Sequence, residues 1–207
     1  MKNIKSMKRV LVFTALMLPL FALSACIIAK KPMQVTYNVR TETSLKDYTV
    51  YLVVNDRRPN TSLVGPEAQA KELFTELRGG RFDLKVNMPN GSMVAMSNLT
   101  TIEAVREAVS RRLQSQGGTS TAHRAAAHLT VEVNIEQMLI DVAENDLVAR
   151  VTLATEIYRD ASSVSKSNAG AVANRMKLIG GTGGATVLSE ALSQAVNDLD
   201  FSSINRF

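Results

Sequence analysis

The chain has 207 residues, with 24 lysines and arginines against 19 acids, a formal charge of +5 and a single cysteine. Lys2, Lys5, Lys8 and Arg9 fall in residues 1–25 and no acid does, so 24 less these 4, or 20 bases, face 19 acids in the remainder. That near-neutral balance leaves the clustered basic surface that nucleic-acid binding needs without support, and one cysteine excludes a disulfide framework, so stability has to come from packing.

Behind the basic start, Val10, Leu11, Val12, Phe13, Leu16, Met17, Leu18, Leu20 and Phe21 form an apolar run that ends in small residues. This order of charged, apolar and small regions is that of a secretory signal peptide. The run is shorter than the roughly 20 apolar residues a membrane-spanning helix needs, and Pro19 interrupts it. Leu23, Ser24, Ala25 and Cys26 resemble the lipobox of bacterial lipoproteins. The resemblance implies that the thiol of Cys26 takes a diacylglycerol through a thioether, that the chain is cut before it, and that the new amino terminus receives a further acyl chain such as palmitate. A thiol suits that role because it is a far better nucleophile near neutral pH than a hydroxyl. Several acyl chains hold a protein on a bilayer far more firmly than one. Ile27 and Ile28 stand where an Asp would retain a lipoprotein in the inner membrane, so the pattern implies an outer-membrane anchor with the domain facing the periplasm.

The chain then divides into a signal peptide over 1–25, a lipidated tether over 26–34 and a single periplasm-facing domain over 35–207. Within that domain "VTYNVR" alternates as a strand, and "YTVYLVVN" is apolar on both faces, which predicts a central strand covered on both sides. A turn-rich loop, "DRRPNTSLVGP", follows, then a short helix over "AQAKELFTEL" and a hairpin of "FDLKVNM" and "SMVAM" about "PNG". The clearest helix is "TTIEAVREAVSRRLQSQGG". Thr100 and Glu103 have capping-box spacing, Ile102, Val105, Val109 and Leu113 form one stripe, and Glu103, Arg106, Glu107, Arg111 and Arg112 lie away from it.

Next, "LTVEVNIEQMLID" and "LVARVTLATEIY" alternate on either side of the polar "AEND", which predicts an antiparallel hairpin with one wet face, where Arg150 meets Glu132 or Glu136. Residues 161–171 read as a loop, "VANRMKLI" as a last strand, and "GGTGG" as the lead into a helix carrying Leu188, Leu192, Ala195 and Leu199. Strands and helices interspersed in this way predict an α+β fold, a mostly antiparallel sheet with two main helices packed on one face.

No catalytic residue, metal site or cofactor is nominated. The run "GGTGGAT" lacks the Lys-Ser/Thr of a P-loop, His123 and His128 have no cysteine or carboxylate at metal-site spacing, and Glu144 with Asp146 reads as a solvated turn. The most distinctive surface candidate is the loop carrying Arg57 and Arg58. Their planar forks can grip a carboxylate or phosphate of a partner, or else stand solvated beside a turn capped by Asn55 and Asp56.

The lipobox, the run "VVNDRRPNTSLVGP", the capped helix, the long hairpin and the final helix ending "VNDLDF" together resemble the YajG-like family of bacterial envelope lipoproteins. The resemblance implies location and fold more than activity. It points to a non-enzymatic binding or structural role in the cell envelope, with the membrane reached through lipidated Cys26 and an envelope protein as partner. The alternative is an auxiliary lipoprotein of an ABC-type envelope lipid-transport system, which would present an apolar groove to acyl chains.

Overall fold

The structure, a computed structural model, describes residues 32–41, 45, 48–176 and 183–206. The signal peptide, Cys26, the tether up to residue 31, the end of the expected last strand and residues 180–182 of the glycine run lie outside the described residues.

Two long antiparallel strands form the backbone of the fold. β6 (Leu129–Ala143) and β7 (Asp146–Arg159) pair along nearly their whole length across a two-residue turn in which Glu144 is left-handed. Leu129, Val131, Val133 and Ile135 of β6 and Leu147, Ala149, Val151, Leu153 and Ile157 of β7 are buried, as their alternation requires. A bulge between Ile135 and Gln137 changes the phase of β6, so Met138, Ile140 and Val142 continue the buried row. β2 (Thr49–Asp56) lies parallel to β6, a two-residue β5 (Thr119–Ser120) lies beyond β2, and β8 (Ser162–Met176) closes the other side, giving the order β5-β2-β6-β7-β8.

A second sheet has the order β1-β3-β4, from β1 (Gln34–Asn38), β3 (Arg81–Asn87) and β4 (Met93–Thr100). β3 and β4 form the expected hairpin, but β1 runs parallel to β3. The fold is therefore α+β with two mixed sheets, which corrects the expectation of one mostly antiparallel sheet. Parallel pairing arises because both connections, β1 to β3 and β2 to β6, are crossovers carrying other elements.

Among the described residues, the long helices are α2 (Thr101–Ser115) and α3 (Gly184–Asn197), with a one-turn α1 at Pro66–Ala70. Thr100 and Glu103 make the full capping box at the start of α2: each side chain accepts from the other's backbone N–H, at 2.8 Å for Thr100 N and 3.3 Å for Glu103 N. These bonds to Thr100 hold the Glu103 carboxyl below its ordinary range. The two helices do not share one face of one sheet. α2 touches β2 and β5 of the large sheet and β3 and β4 of the small one, while α3 touches β6, β7 and β8 and also β1.

Four further expectations change. The helix expected over 68–77 ends after Ala70, because Glu72 and Phe74 take left-handed backbone and turn the Phe74 ring into the core. β2 is covered on one face only: Val50 and Val54 are buried, while Tyr51 and Val53 are half-buried. Arg112 is not on a wet face but 1% exposed, donating to the carbonyls of Arg40 at 2.7 Å and Asn197 at 3.0 Å. Residues 162–176, divided in the sequence reading between loop and strand, form one strand. Small side chains carry weak strand signals alone, but the long edge of β7 offers them continuous backbone pairing.

Candidate functional site

The loop after β2 holds the two arginines nominated from sequence, and the structure separates them. Arg57 extends to the surface, its side chain 58% exposed, and donates at 3.2 Å to Glu132. Glu132 also accepts from Asn55 at 2.9 Å, so this carboxylate serves Arg57 and not Arg150, which lies across from Leu139 and Val172. Arg58 turns inward, with a side chain 3% exposed. Its fork grips Asp56 through Nε at 2.8 Å and Nη2 at 2.7 Å, and Nη1 donates to the Met138 carbonyl at 3.0 Å. The guanidinium fills the gap that the β6 bulge leaves between the Arg57 N–H bond to Ile135 and the Leu63–Gly65 segment, which exchanges backbone bonds with Ile140. Hydrogen bonding to Arg58 holds the Asp56 carboxyl below its ordinary range, against the opposing effect of burial. Arg58 is thus engaged inside the fold, and the loop presents Arg57 outward.

The histidines and the acidic turn are set apart from this loop. His123 is exposed, and Glu144 lies in the β6–β7 turn. His128 Nδ1 accepts the Thr49 N–H at 3.1 Å, its ring edge faces Tyr48 at 6.3 Å, and Arg159 lies 5.8 Å from the Tyr48 ring centre. Of the glycine run, Gly183 has φ 131, a conformation that favours glycine. A Cβ on Gly184 would collide with the Phe74 ring and crowd Ile140, so this glycine lets α3 dock closely.

A further open feature involves residues that the sequence reading did not single out. Ser189, Ser193 and Asn197 repeat every four residues along α3 and face the outer edge of β1. Four helical residues rise about 6 Å and two strand residues about 6.7 Å, so successive polar side chains meet successive outward backbone groups. Ser189 Oγ accepts the Thr36 N–H at 2.7 Å, and Ser193 Oγ accepts the Asn38 N–H at 3.1 Å. Asn197 Oδ1 accepts the Arg40 N–H at 3.1 Å and the Tyr37 hydroxyl at 3.0 Å, and its Nδ2 donates to the Asn38 carbonyl at 2.8 Å. Burial pushes the Tyr37 hydroxyl far above its ordinary pKa, leaving it a fixed donor. The helix thereby occupies the place of a fourth strand. The signal in the sequence was the four-residue repeat of small polar residues beside the apolar stripe, which a solvent-facing helix does not need.

A groove of about 750 Å³ runs along α3 between β1 and β8. Thr36, Asn38, Thr186, Glu190 and Gln194 contribute to its lining, and Val172, Ala173 and Asn174 of β8 form its far rim. Its polar lining is mostly of neutral donors and acceptors, with Glu190 paired to Arg175 and Arg40 lying 3.7 Å from Asp198. A smaller cavity of about 330 Å³ lies beside the bulge, bounded by Arg58, Pro59, Gln137 and Leu139.

No family model matches the chain, and no curated protein matches it. Solved structures to which the chain is similar in part include protein XCC0632 from Xanthomonas campestris, of the DUF330 family, at 10% identity and a TM-score of 0.48, covering 83% of this chain and 96% of that one. Hypothetical protein CT253 from Chlamydia trachomatis follows at 10% identity and 0.42, covering 75% and 92%. Lipoprotein GNA1162 from Neisseria meningitidis shows 10% identity and a TM-score of 0.27, covering 69% and 93%. At such identities and TM-scores these are partial likenesses, and nothing about this chain is carried over from them.

Proposed function

We propose that this chain is a lipid-anchored protein of the bacterial envelope, of the YajG-like kind, whose folded domain is a non-enzymatic docking module. The observation that carries the anchor is the placement of Cys26 in "LSAC" directly behind a basic and then apolar start. Ile27 and Ile28 support the outer membrane as its destination, with the domain in the periplasm and another envelope protein as its partner. Arg57, outward on the β2 loop, and the groove along α3 are the surfaces by which it docks. The polar lining of that groove favours docking over the lipid-carrier alternative, since acyl chains gain little from hydroxyls and amides.

The test is metabolic labelling with a fatty acid in cells making the full chain and its Cys26→Ser variant. Label on the parent and none on the variant is expected, with the variant accumulating as a longer precursor or in the soluble fraction. Equal labelling of both would overturn the anchor.

A further inference from the structure

We infer that β8 and the groove beside it accept an extended segment of a partner protein as an added strand. The inference rests on the docking reading and names its site and the form of its ligand.

β8 is 15 residues long and pairs with β7 on one side. Among the described residues, no backbone hydrogen bond reaches Ser162–Met176 from anywhere else. Folded proteins protect such edges with proline, bulges, inward charges or a covering element, because free N–H and C=O groups template further pairing. Here the strand has no proline, its one register shift lies at its start, its exposed Lys166 is held by Glu156 at 2.9 Å, and its inward charge, Arg175, is held by Glu190 of α3. The β4 edge is also open, but that strand is shorter and contains left-handed Asn98. Two large apolar side chains lie well exposed on β8, Val172 at 63% and Met176 at 74%.

The groove supplies what a bare edge lacks, a place for the side chains of the incoming strand. Its rim is the edge of β8 at Val172–Asn174 and its floor is α3. A strand laid on β8 would alternate its side chains between the two faces. One set would point down onto Thr186, Glu190 and Gln194, and the other would lie on the outer face beside Val172 and Met176. The matching segment is therefore extended and alternates polar with apolar residues. Main-chain bonds supply the affinity and the alternation supplies the selectivity, as in strand addition generally. A second copy of β8 fits less well. Its inward Ala169, Ala171 and Ala173 carry methyl groups that would leave most of the about 750 Å³ groove unfilled, and its next inward residue, Arg175, would compete with the Arg175 already paired to Glu190.

The experiment places a photo-crosslinking amino acid in the full chain, in intact cells, at Asn174 on the rim, at Thr186 on the floor, at Arg57, and at exposed Glu67 and Asn90 as remote positions. Asn174 and Thr186 are expected to capture the same foreign protein, with the attachment points mapping to one short alternating segment. Val172→Asp together with Met176→Asp, at exposed positions where little buried area is lost, should reduce that capture several-fold. Capture from Arg57 but not from the groove would overturn strand addition while leaving the docking reading standing. Capture of a second copy, or of a helical segment, at the groove would also overturn it. No capture above the Glu67 and Asn90 level at any position would overturn both.

Discussion

The outer edges of β1 and β8 pose the same chemical problem and receive opposite answers. Each is a row of backbone donors and acceptors at the side of a sheet. At β1, Ser189, Ser193 and Asn197 meet the outward groups of Thr36, Asn38 and Arg40, and nothing can be added there. At β8 the same kind of groups, over a longer strand, find no partner among the described residues. The β6 edge stands between these cases, paired by β2, bridged by Arg58 at the bulge and paired again by Leu63–Gly65. A fold that seals two edges with dedicated side chains and leaves a third open separates the part that holds it together from the part free to bind.

If that division is real, damage to the sealing groups should cost stability and damage to β8 should not. The largest loss is expected at Arg58. Arg58→Ala removes both bonds to Asp56 and the one to Met138, leaving a buried carbonyl without its donor and a carboxylate without its counter-charge. Breaking one side of such a pair costs about 3 kcal/mol, read as a fall in the urea midpoint. The Asp56 carboxyl, lowered by Arg58, also gives an acid dependence. A folded-state pKa below the unfolded one contributes stability that is complete above the unfolded carboxylate range, near pH 4. That contribution is lost as pH falls through the folded value. Asp56→Asn should therefore be less stable at neutral pH and lose less on acidification from pH 6 to 3 than the parent.

Next comes Asn197, which satisfies three partners at once. Asn197→Ala strands the buried Tyr37 hydroxyl and two backbone groups of the β1 edge, at about 2 kcal/mol. Ser193→Ala removes the bond from Asn38 N–H and the weaker one to the Thr36 carbonyl at a half-buried site, for about 1 kcal/mol. Amide hydrogen exchange sharpens the comparison. Ser193→Ala should loosen Asn38 while leaving the β7–β8 ladder as protected as before. Spread of the effect to β8 would show that the two edges are one cooperative unit.

The legible and illegible parts of the fold divide along the same physical line. Periodic apolar residues announced the hairpin of β6 and β7, the stripe on α2 and the helix α3, because each element buries a face that its own sequence encodes. The capping box was legible because both partners lie in one turn. Arg58 and Arg112 were not, since a charged side chain is read as solvated unless its distant partners, Met138 for one and Asn197 for the other, are known. The parallel pairing of β1 with β3 escaped for the same reason, being set across an intervening β2 and α1. β8 was half-read because serine, alanine and asparagine take strand form from a neighbour's backbone more than from their own propensity. The groove was missed with it, since one rim is β8 and its floor depends on seeing Ser189, Ser193 and Asn197 as strand partners.

The smallest expected effect is the one that separates the two edges most cleanly. Val172 and Met176 are exposed on the outer face of β8, so replacing both with Asp removes little buried area. Surface changes away from caps, networks and cavities fall within about 0.5 kcal/mol per site. The urea midpoint of the double variant should therefore stay close to the parent's, far from the loss expected for Asn197→Ala. A midpoint drop comparable to that of Asn197→Ala would mean that these side chains are covered in the native protein by part of its own chain. The β8 edge would then be sealed like the β1 edge, and the contrast between them would fail. A near-unchanged midpoint leaves β8 as a strand whose backbone, among the described residues, is paired by β7 alone, with its other side open to a partner.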